Sequence, residues 1–424
     1  SDIESLMSEY ILTEIMAGGR GERLDPLTRE RAKPAVPFGG EYRLIDFTLS
    51  NCINSGLRHI FVLVQYKSKS LTDHIQNAWS FLPRNLGQFI DSLHAQKRTG
   101  EDWYRGTADA VRQNFYHIQN LEIKPSHVLI LSGDQIYKMD YRIMIQEHID
   151  KKADMTISLI MKPVEEAKNQ LGVIEVNEDD WVIGFEEKPD KPKKIPGYEN
   201  DVYASMGIYI FKTDVLFDVL NKHVGDDFGK EIIPYMLNEG YKIYGYNFNK
   251  KNKIKDRIFI PQDDERKWID VENISFSDYW VDAGTIKSFY DANMDLVGIQ
   301  PKFDLYGRKW KIHTHIEPRS PVKQVFHSEI SNSLISNGCI ISGSKVYESV
   351  LSPDVTVEKS EIEKSIIFNN VQIGEGCYIK KAIIDKNCII TNRKEITPEN
   401  AEKYFEKGVV VKDGIVVIPK WTRI

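Results

Sequence analysis

Met16-Ala17-Gly18-Gly19-Arg20-Gly21-Glu22-Arg23-Leu24, with Lys33-Pro34 beginning nine residues further on, combines a pliable backbone with fixed positive charge. Three glycines within four residues let the main chain approach a phosphate and turn its N–H groups toward it. Arg20, Arg23 and Lys33 add charge that a solvated loop does not need. The preceding run, 10–17, leans apolar and reads as a strand, so the loop is expected at that strand's carboxyl end, where open α/β sheets bind ligands. The spacing is neither that of a Walker A loop nor that of a dinucleotide-binding GxGxxG turn, because Glu22, Arg23 and Leu24 follow Gly21. The stretch reads as a nucleotide phosphate cradle.

Downstream, short apolar and β-branched runs at 60–65, 128–132, 155–161 and 204–211 alternate with helix-like stretches at 69–79, 108–119 and 141–150. That alternation predicts a largely parallel sheet with helices on both faces, a Rossmann-like α/β domain. The segment 189–196, with three lysines and three prolines, reads as an exposed loop, either a plain turn or the rim of a sugar site. The charged stretch 249–278 reads as a surface excursion.

After Gly298 the pattern changes. Apolar residues recur every five or six positions, at Leu334, Ile340, Val346, Leu351, Val357, Ile362, Ile367, Ile373, Ile379, Ile384 and Ile390. Between them lie Ser, Asn, Gly and Asp, the turn chemistry of a hexapeptide β-helix. The expected organisation is a catalytic domain over 1–298, a linker over 299–333 and a β-helix over 334–424.

A chain of 424 residues exceeds what one core usually supports, in keeping with two domains. Hydrophobic content of 41%, charged content of 28% and a mean hydropathy of −0.39 describe a globular chain with no membrane-length apolar run. Net charge of −6 gives no global attraction to nucleic acid or anionic lipid, so phosphate binding must come from local cations. Cys52, Cys339, Cys377 and Cys388 have no CxxC spacing, which argues against zinc or a disulfide scaffold and for reduced thiols. Residues 1–10 are acidic and lack a signal peptide's basic and apolar regions, so a cytoplasmic location is expected.

Further ordered segments accompany the glycine loop: Arg31-Ala32-Lys33-Pro34-Ala35-Val36-Pro37-Phe38-Gly39-Gly40, Ser50-Asn51-Cys52-Ile53-Asn54-Ser55-Gly56, and Trp103-Tyr104-Arg105-Gly106-Thr107-Ala108-Asp109-Ala110-Val111. Then follow Gly133-Asp134-Gln135-Ile136-Tyr137-Lys138-Met139-Asp140, Glu187-Lys188-Pro189, Ala204-Ser205-Met206-Gly207-Ile208-Tyr209, Asp227-Phe228-Gly229-Lys230 and Tyr279-Trp280-Val281-Asp282-Ala283-Gly284-Thr285. In this order the chain resembles the ADP-glucose pyrophosphorylases, sugar nucleotidyltransferases of glycogen and starch synthesis. The resemblance implies a GT-A-like mixed-sheet domain followed by a left-handed parallel β-helix that serves regulation and assembly. It also implies Mg²⁺-dependent formation of ADP-glucose and pyrophosphate from ATP and glucose 1-phosphate, small phosphorylated effectors and a homotetramer.

Nucleotidyl transfer needs no covalent protein nucleophile; the work is to position two mutually repelling phosphates and neutralise their charge. Asp134 follows the apolar run 128–131 and emerges at a strand's carboxyl end, suited to hold Mg²⁺, with Asp282 as second ligand. An Asp in such a place is otherwise a cap or turn residue. By resemblance Arg20, Lys33, Asp134 and Asp282 are the catalytic set. Gly18, Gly19, Gly21 and Arg23 would surround the ATP phosphates, and Gln65, Gly106, Thr107 and Asp109 would face the adenine and ribose. Thr107 would also cap the helix after it. Tyr104, Gly172, Glu187, Lys188 and Ser205 would receive the sugar phosphate. Arg31, Arg43, Lys380 and Lys381 would form an anion pocket for effectors where the domains meet.

Three departures from the family pattern stand out. Gln135 occupies the place of a usual His and cannot carry a proton. Thr13 and Glu14 interrupt a strand expected to be apolar, and a buried Glu needs a partner. Glu30 stands where relatives place a basic residue. Rival readings are a pyrophosphorylase for another nucleotide sugar, a silenced regulatory subunit, and an acyltransferase acting through the hexapeptide domain.

Overall fold

The computed structural model describes residues 11–19, 21–65, 69–95, 104–272, 278–299 and 301–424; Arg20 and Trp103 lie outside the described residues. Among these, nine strands form the central sheet: β1 (Ile11–Ala17), β2 (His59–Val64), β3 (Phe89–His94), β4 (His127–Ser132), β5 (Met155–Pro163), β6 (Val173–Val176), β7 (Val182–Glu186), β8 (Asp201–Lys212) and β9 (Ile243–Asn247). The main path runs β7-β6-β8-β4-β1-β2-β3, with β5 paired to β8 and β9 to β5. Strands β3, β2, β1 and β4 are parallel, whereas β8 runs antiparallel to β4, β5 and β6. The sheet is thus mixed rather than largely parallel. A parallel pair needs a long crossover, and the turn at 177–181 between β6 and β7 is too short for one, so those strands fold back as a hairpin.

Alternation along β1 sends Ile11, Ile15 and Ala17 into the core on one face and Leu12, with Phe61 and Leu63 of β2, into the core on the other. Thr13 and Glu14 are fully buried without breaking the strand. Glu14 falls on the Leu12 face, over which the helix Thr107–Gln113 packs. Neither of its carboxyl oxygens has a hydrogen-bond partner among the described residues, and burial pushes its carboxyl up to about 8. The neutral acid, not a partner, makes this Glu tolerable inside the sheet.

The second domain winds through three sheets in rotation, beginning with Lys323–Val325, Glu329–Ser331 and Leu334–Ile335 and parallel up to the closing antiparallel pair Val410–Lys412 and Ile415–Ile418. Its core is the predicted aliphatic series from Val346 to Ile390. Ile340 is an exception, 44% exposed, because the strand Ile340–Ser342 turns Ile341 inward instead. At the corners, buried serine hydroxyls accept an N–H from the next coil, as Ser344 does from Ser360 and Ser349 from Ser365, both at 3.1 Å. The first coil starts at Lys323, ahead of the expected Leu334; its strand exposes Lys323 and Gln324 and so lacks the aliphatic period.

Val350, Ile366, Ile383 and Val417 from the β-helix share one core with Phe38, Phe289 and Tyr290 from the first domain. The Tyr290 hydroxyl donates to the Lys364 carbonyl at 2.7 Å. The connecting segment is packed rather than loose. Trp310 Nε1 donates to Asn51 Oδ1 at 3.0 Å, and the buried Asp256 carboxylate accepts the N–H groups of Lys309 and Trp310. Asp256 also roots the hairpin Asp256–Gln262 and Glu265–Val271, so the charged excursion is exposed at its tip and anchored at its base. The four cysteines are buried and unpaired. Among the described residues no helix is long and apolar enough to cross a membrane.

Candidate active site

The carboxyl ends of β1, β2 and β4 lie side by side because these strands are parallel neighbours. The glycine loop leaves β1 there. A side-chain carbon at Gly18 would collide with Gln65, which follows β2, so the loop and Gln65 close on each other only because Gly18 has none. The Thr28 hydroxyl donates to the Gly21 carbonyl at 2.7 Å and fixes the turn into the short helix Glu22–Leu24.

Asp134 emerges just past β4, and the Ser132 hydroxyl donates to its Oδ1 at 2.6 Å. The strand Trp280–Asp282 pairs with Gln135–Tyr137 so that Asp282 lies opposite Gln135, and the Ala283 N–H donates to the Asp134 carbonyl at 3.3 Å. This pairing, invisible in a separation of nearly 150 positions, brings the two carboxylates together. Lys33 forms an ion pair with Asp134. A side-chain carbon at Gly284 would lie 3.1 Å from Arg23 Nη2, 3.2 Å from Lys33 Nζ and 3.3 Å from Asp282 Oδ1, so three charged groups converge on the space this glycine leaves.

Burial alone would raise the Asp134 carboxyl, but the Lys33 ammonium and the Lys33 and Ser132 hydrogen bonds outweigh it and hold it below the usual carboxylate range. Burial likewise opposes the Lys33 charge, and Asp134 and Asp282 overcome it and raise that ammonium. Asp282 is raised, first by burial and then by Asp134, against the pull of Lys33, Arg23 and Lys188. Its Oδ1 is buried with no hydrogen-bond partner among the described residues. A second carboxylate beside an ionised one, with an orphaned oxygen, is the donor chemistry that suits a hard divalent cation. No group of three or more His, Cys, Asp or Glu residues able to hold a metal occurs among the described residues, so such an ion would draw its remaining ligands from phosphates and water.

A model described as nucleotidyl transferase matches residues 13–298, and one described as GlmU-like C-terminal hexapeptide matches 321–418. A glucose-1-phosphate adenylyltransferase of Koribacter versatilis is 45% identical over 96% of this chain and 94% of its own. Those of Nitrosospira multiformis and of an Enterobacter species are each 42% identical, covering 98% and 96% of this chain and 95% and 92% of theirs. The chain belongs to the glucose-1-phosphate adenylyltransferases. Its β-helix is accordingly of the left-handed hexapeptide kind, as expected from the sequence.

In this adenylyltransferase Glu187 lies against Gly229, where any side-chain carbon would collide with its carboxylate. Burial raises the Glu187 carboxyl, Asp227 adds to this, and Lys188 and Lys230 oppose it. The Ser205 N–H donates to the Gly172 carbonyl at 2.8 Å, which joins two of the predicted sugar residues. Asp227, Gly229, Lys230 and Gly284 were legible only as motif residues; their nearness to the charged groups is tertiary.

Other predicted residues serve protein contacts. Thr107 does not cap its helix: Gly106 holds that position, and the Thr107 hydroxyl donates to Asp227 Oδ1 at 2.9 Å and accepts from the Phe228 N–H at 3.1 Å. Asp109 Oδ2 accepts from the Arg105 N–H and from Gln113 Nε2, each at 2.8 Å. Tyr104 packs in the core, with its hydroxyl bound by Asn114 Nδ2 at 3.0 Å and by the Leu93 carbonyl at 3.3 Å. Gly19 sits in the loop at a positive φ of 106°.

At the domain junction Arg31 is buried and forks onto Asp385, and Arg43 Nη1 donates to the Ala35 carbonyl at 2.7 Å. The β-helix cations whose charge Arg31 and Arg43 oppose are Lys386 and Lys420, in place of the expected Lys380 and Lys381. Lys380 ends the strand Tyr378–Lys380 and Lys381 forms the corner after it, with its N–H on the Glu363 carbonyl at 3.1 Å. Burial, then Arg43, Arg31 and Lys420, push the Lys386 ammonium down to about 6.

Proposed function

We propose that the chain transfers the adenylyl group of ATP to glucose 1-phosphate, giving ADP-glucose and pyrophosphate in the cytoplasm, for glycogen or starch synthesis. A phosphate oxygen of glucose 1-phosphate attacks the α-phosphorus of ATP in line. The bond from that phosphorus to the β-phosphate bridging oxygen breaks, and pyrophosphate leaves. The observation that carries this reading is the convergence of Arg23, Lys33 and Asp282 on the space beside Gly284, next to Asp134. Lys33 brings a retained proton and full charge to the α-phosphate, where negative charge builds up, and Arg23, with Gly18, Gly19 and Gly21, receives the leaving phosphates. Mg²⁺ held by Asp134 and Asp282 would neutralise charge on the reacting phosphates. Lys188 pairs with the sugar phosphate, and Glu187 and Ser205 take hexose hydroxyls.

The test is pyrophosphate release with glucose 1-phosphate and each of ATP, UTP, GTP and dTTP. Release dominated by ATP is expected, and release that favours another nucleotide overturns the base assignment.

The junction supports a second site for a phosphorylated effector. Arg31, Arg43, Lys386 and Lys420 surround Asp385, so four cations face one carboxylate. An anion there restores the charge that burial takes from Lys386. Glu30, which pulls on Lys420, disfavours a second phosphate at that edge. The β-helix would also assemble the chain into a homotetramer.

A further inference from the structure

Gln135 is 4% exposed and stands between the two catalytic carboxylates, following Asp134 in sequence and facing Asp282 across the strand pair. Its side chain bonds to neither. Nε2 donates to the Met206 carbonyl at 2.6 Å, and Oε1 accepts from Trp280 Nε1 at 3.1 Å. The orientation of the amide is forced, since an indole N–H only donates and a carbonyl only accepts. Both partners matter. Trp280 lies two residues before Asp282 on the same strand. Met206 lies in an irregular stretch of β8, where Ser205 faces Leu159 but Tyr209 already faces Ile157, so the ladder is interrupted between them. Gly207 takes a positive φ of 70° there, and the Ser205 hydroxyl accepts the Gly207 N–H at 3.2 Å.

From this geometry we infer that Gln135 is a positioning residue that ties the sugar-side arch of β8 to both carboxylate strands, setting the distance between the hexose and the reacting phosphates. The inference rests on the proposed placement of the sugar phosphate near Ser205. Only an uncharged group with one donor and one acceptor at this reach serves both partners. An ionised carboxylate in its place would set an acceptor against the Met206 carbonyl and would have to take up a proton to restore the contact.

The test compares wild type with Gln135→Met, Gln135→Glu and Trp280→Phe, with folding of each followed by circular dichroism. Gln135→Met keeps the length and removes both bonds. Its KM for glucose 1-phosphate is expected to rise about tenfold while that for ATP stays within about twofold, the scale of one lost buried hydrogen bond. Trp280→Phe should lower kcat and leave the glucose 1-phosphate KM unchanged. Gln135→Glu, which sets an acceptor against the Met206 carbonyl, should raise the KM for glucose 1-phosphate as Gln135→Met does. Unchanged KM values in folded Gln135→Met or Gln135→Glu would overturn the inference. If Gln135→Met does not fold, Gln135→Glu and Trp280→Phe decide. Wild-type turnover that favours a nucleotide other than ATP refutes the proposed function instead, and the same KM comparison then applies with that nucleotide.

Discussion

Arg31 and Asp385 form a two-pronged buried ion pair across the domain junction, with Nη1 to Oδ2 at 2.8 Å and Nη2 to Oδ1 at 2.7 Å. Arg31 also gives Nη1 to the Leu27 carbonyl at 2.8 Å, and its guanidinium lies 5.7 Å from the centre of the Phe368 ring. Asp385→Ala leaves this guanidinium buried without a counter-charge beside Arg43 and Lys386. The expected loss of stability is about 3–5 kcal/mol, read by denaturant unfolding. A loss below about 1 kcal/mol would mean that the junction relaxes around the vacated carboxylate.

Asp134→Asn removes the negative charge that Lys33 faces and one of the two carboxylates proposed to hold the metal. The fold should persist and turnover should fall by roughly 10²-fold or more, the scale expected for lost transition-state charge stabilisation. Pyrophosphate release from a folded variant measures it, and near-normal rates would remove Asp134 from the catalytic set.

Lys188→Ala should raise the KM for glucose 1-phosphate far more than that for ATP, because a charge-assisted hydrogen bond is worth about 1.5–3 kcal/mol. Initial-rate kinetics with each substrate varied in turn distinguish the outcomes. Equal shifts in both KM values would mean that Lys188 does not belong to one substrate.

Effector response separates the junction cations. Titration of fructose 1,6-bisphosphate, fructose 6-phosphate, 3-phosphoglycerate, AMP and phosphate should alter activity in wild type. Lys386→Ala should shift the midpoint several-fold and Lys381→Ala should not, since Lys386, not Lys381, sits beside Arg31 and Arg43. Glu30→Lys should strengthen the response to bisphosphates. A flat response in wild type and all three variants leaves the β-helix as an assembly module.

Glu14 gives the molecule a pH-dependent stability. Its carboxyl rises from an ordinary 4.5 to about 8 on folding, so the native state binds more protons than the unfolded chain between those values. Stability is therefore full below about pH 4.5 and falls as pH rises toward 8, by on the order of 5 kcal/mol in all from this group. Glu14→Gln should abolish that slope and be more stable than wild type at pH 8 in urea unfolding. An unchanged slope would assign the pH dependence to other groups.

The sequence by itself determined the strand-loop start at the glycine cradle, the switch from an α/β pattern to a coil of five- and six-residue steps, and the family, because local turn chemistry and hydrophobic period are written in adjacent residues. Asp134 and Asp282 were readable as candidates from their places at strand ends. What only the tertiary structure decided depends on pairings between distant segments. The strand Trp280–Asp282 had to lie on Gln135–Tyr137 before the two carboxylates could share a site with Lys33 and Arg23. The short turn that reverses β7 onto β6, and the antiparallel pairing of β8 with β4, made the sheet mixed. The packing of Val350, Ile366, Ile383 and Val417 on the first domain chose Lys386 and Lys420, not Lys380 and Lys381, to face Arg31 and Arg43. At such places a residue's chemistry is set by what burial removes and which charge lies opposite, and neither is a property of its neighbours in the chain.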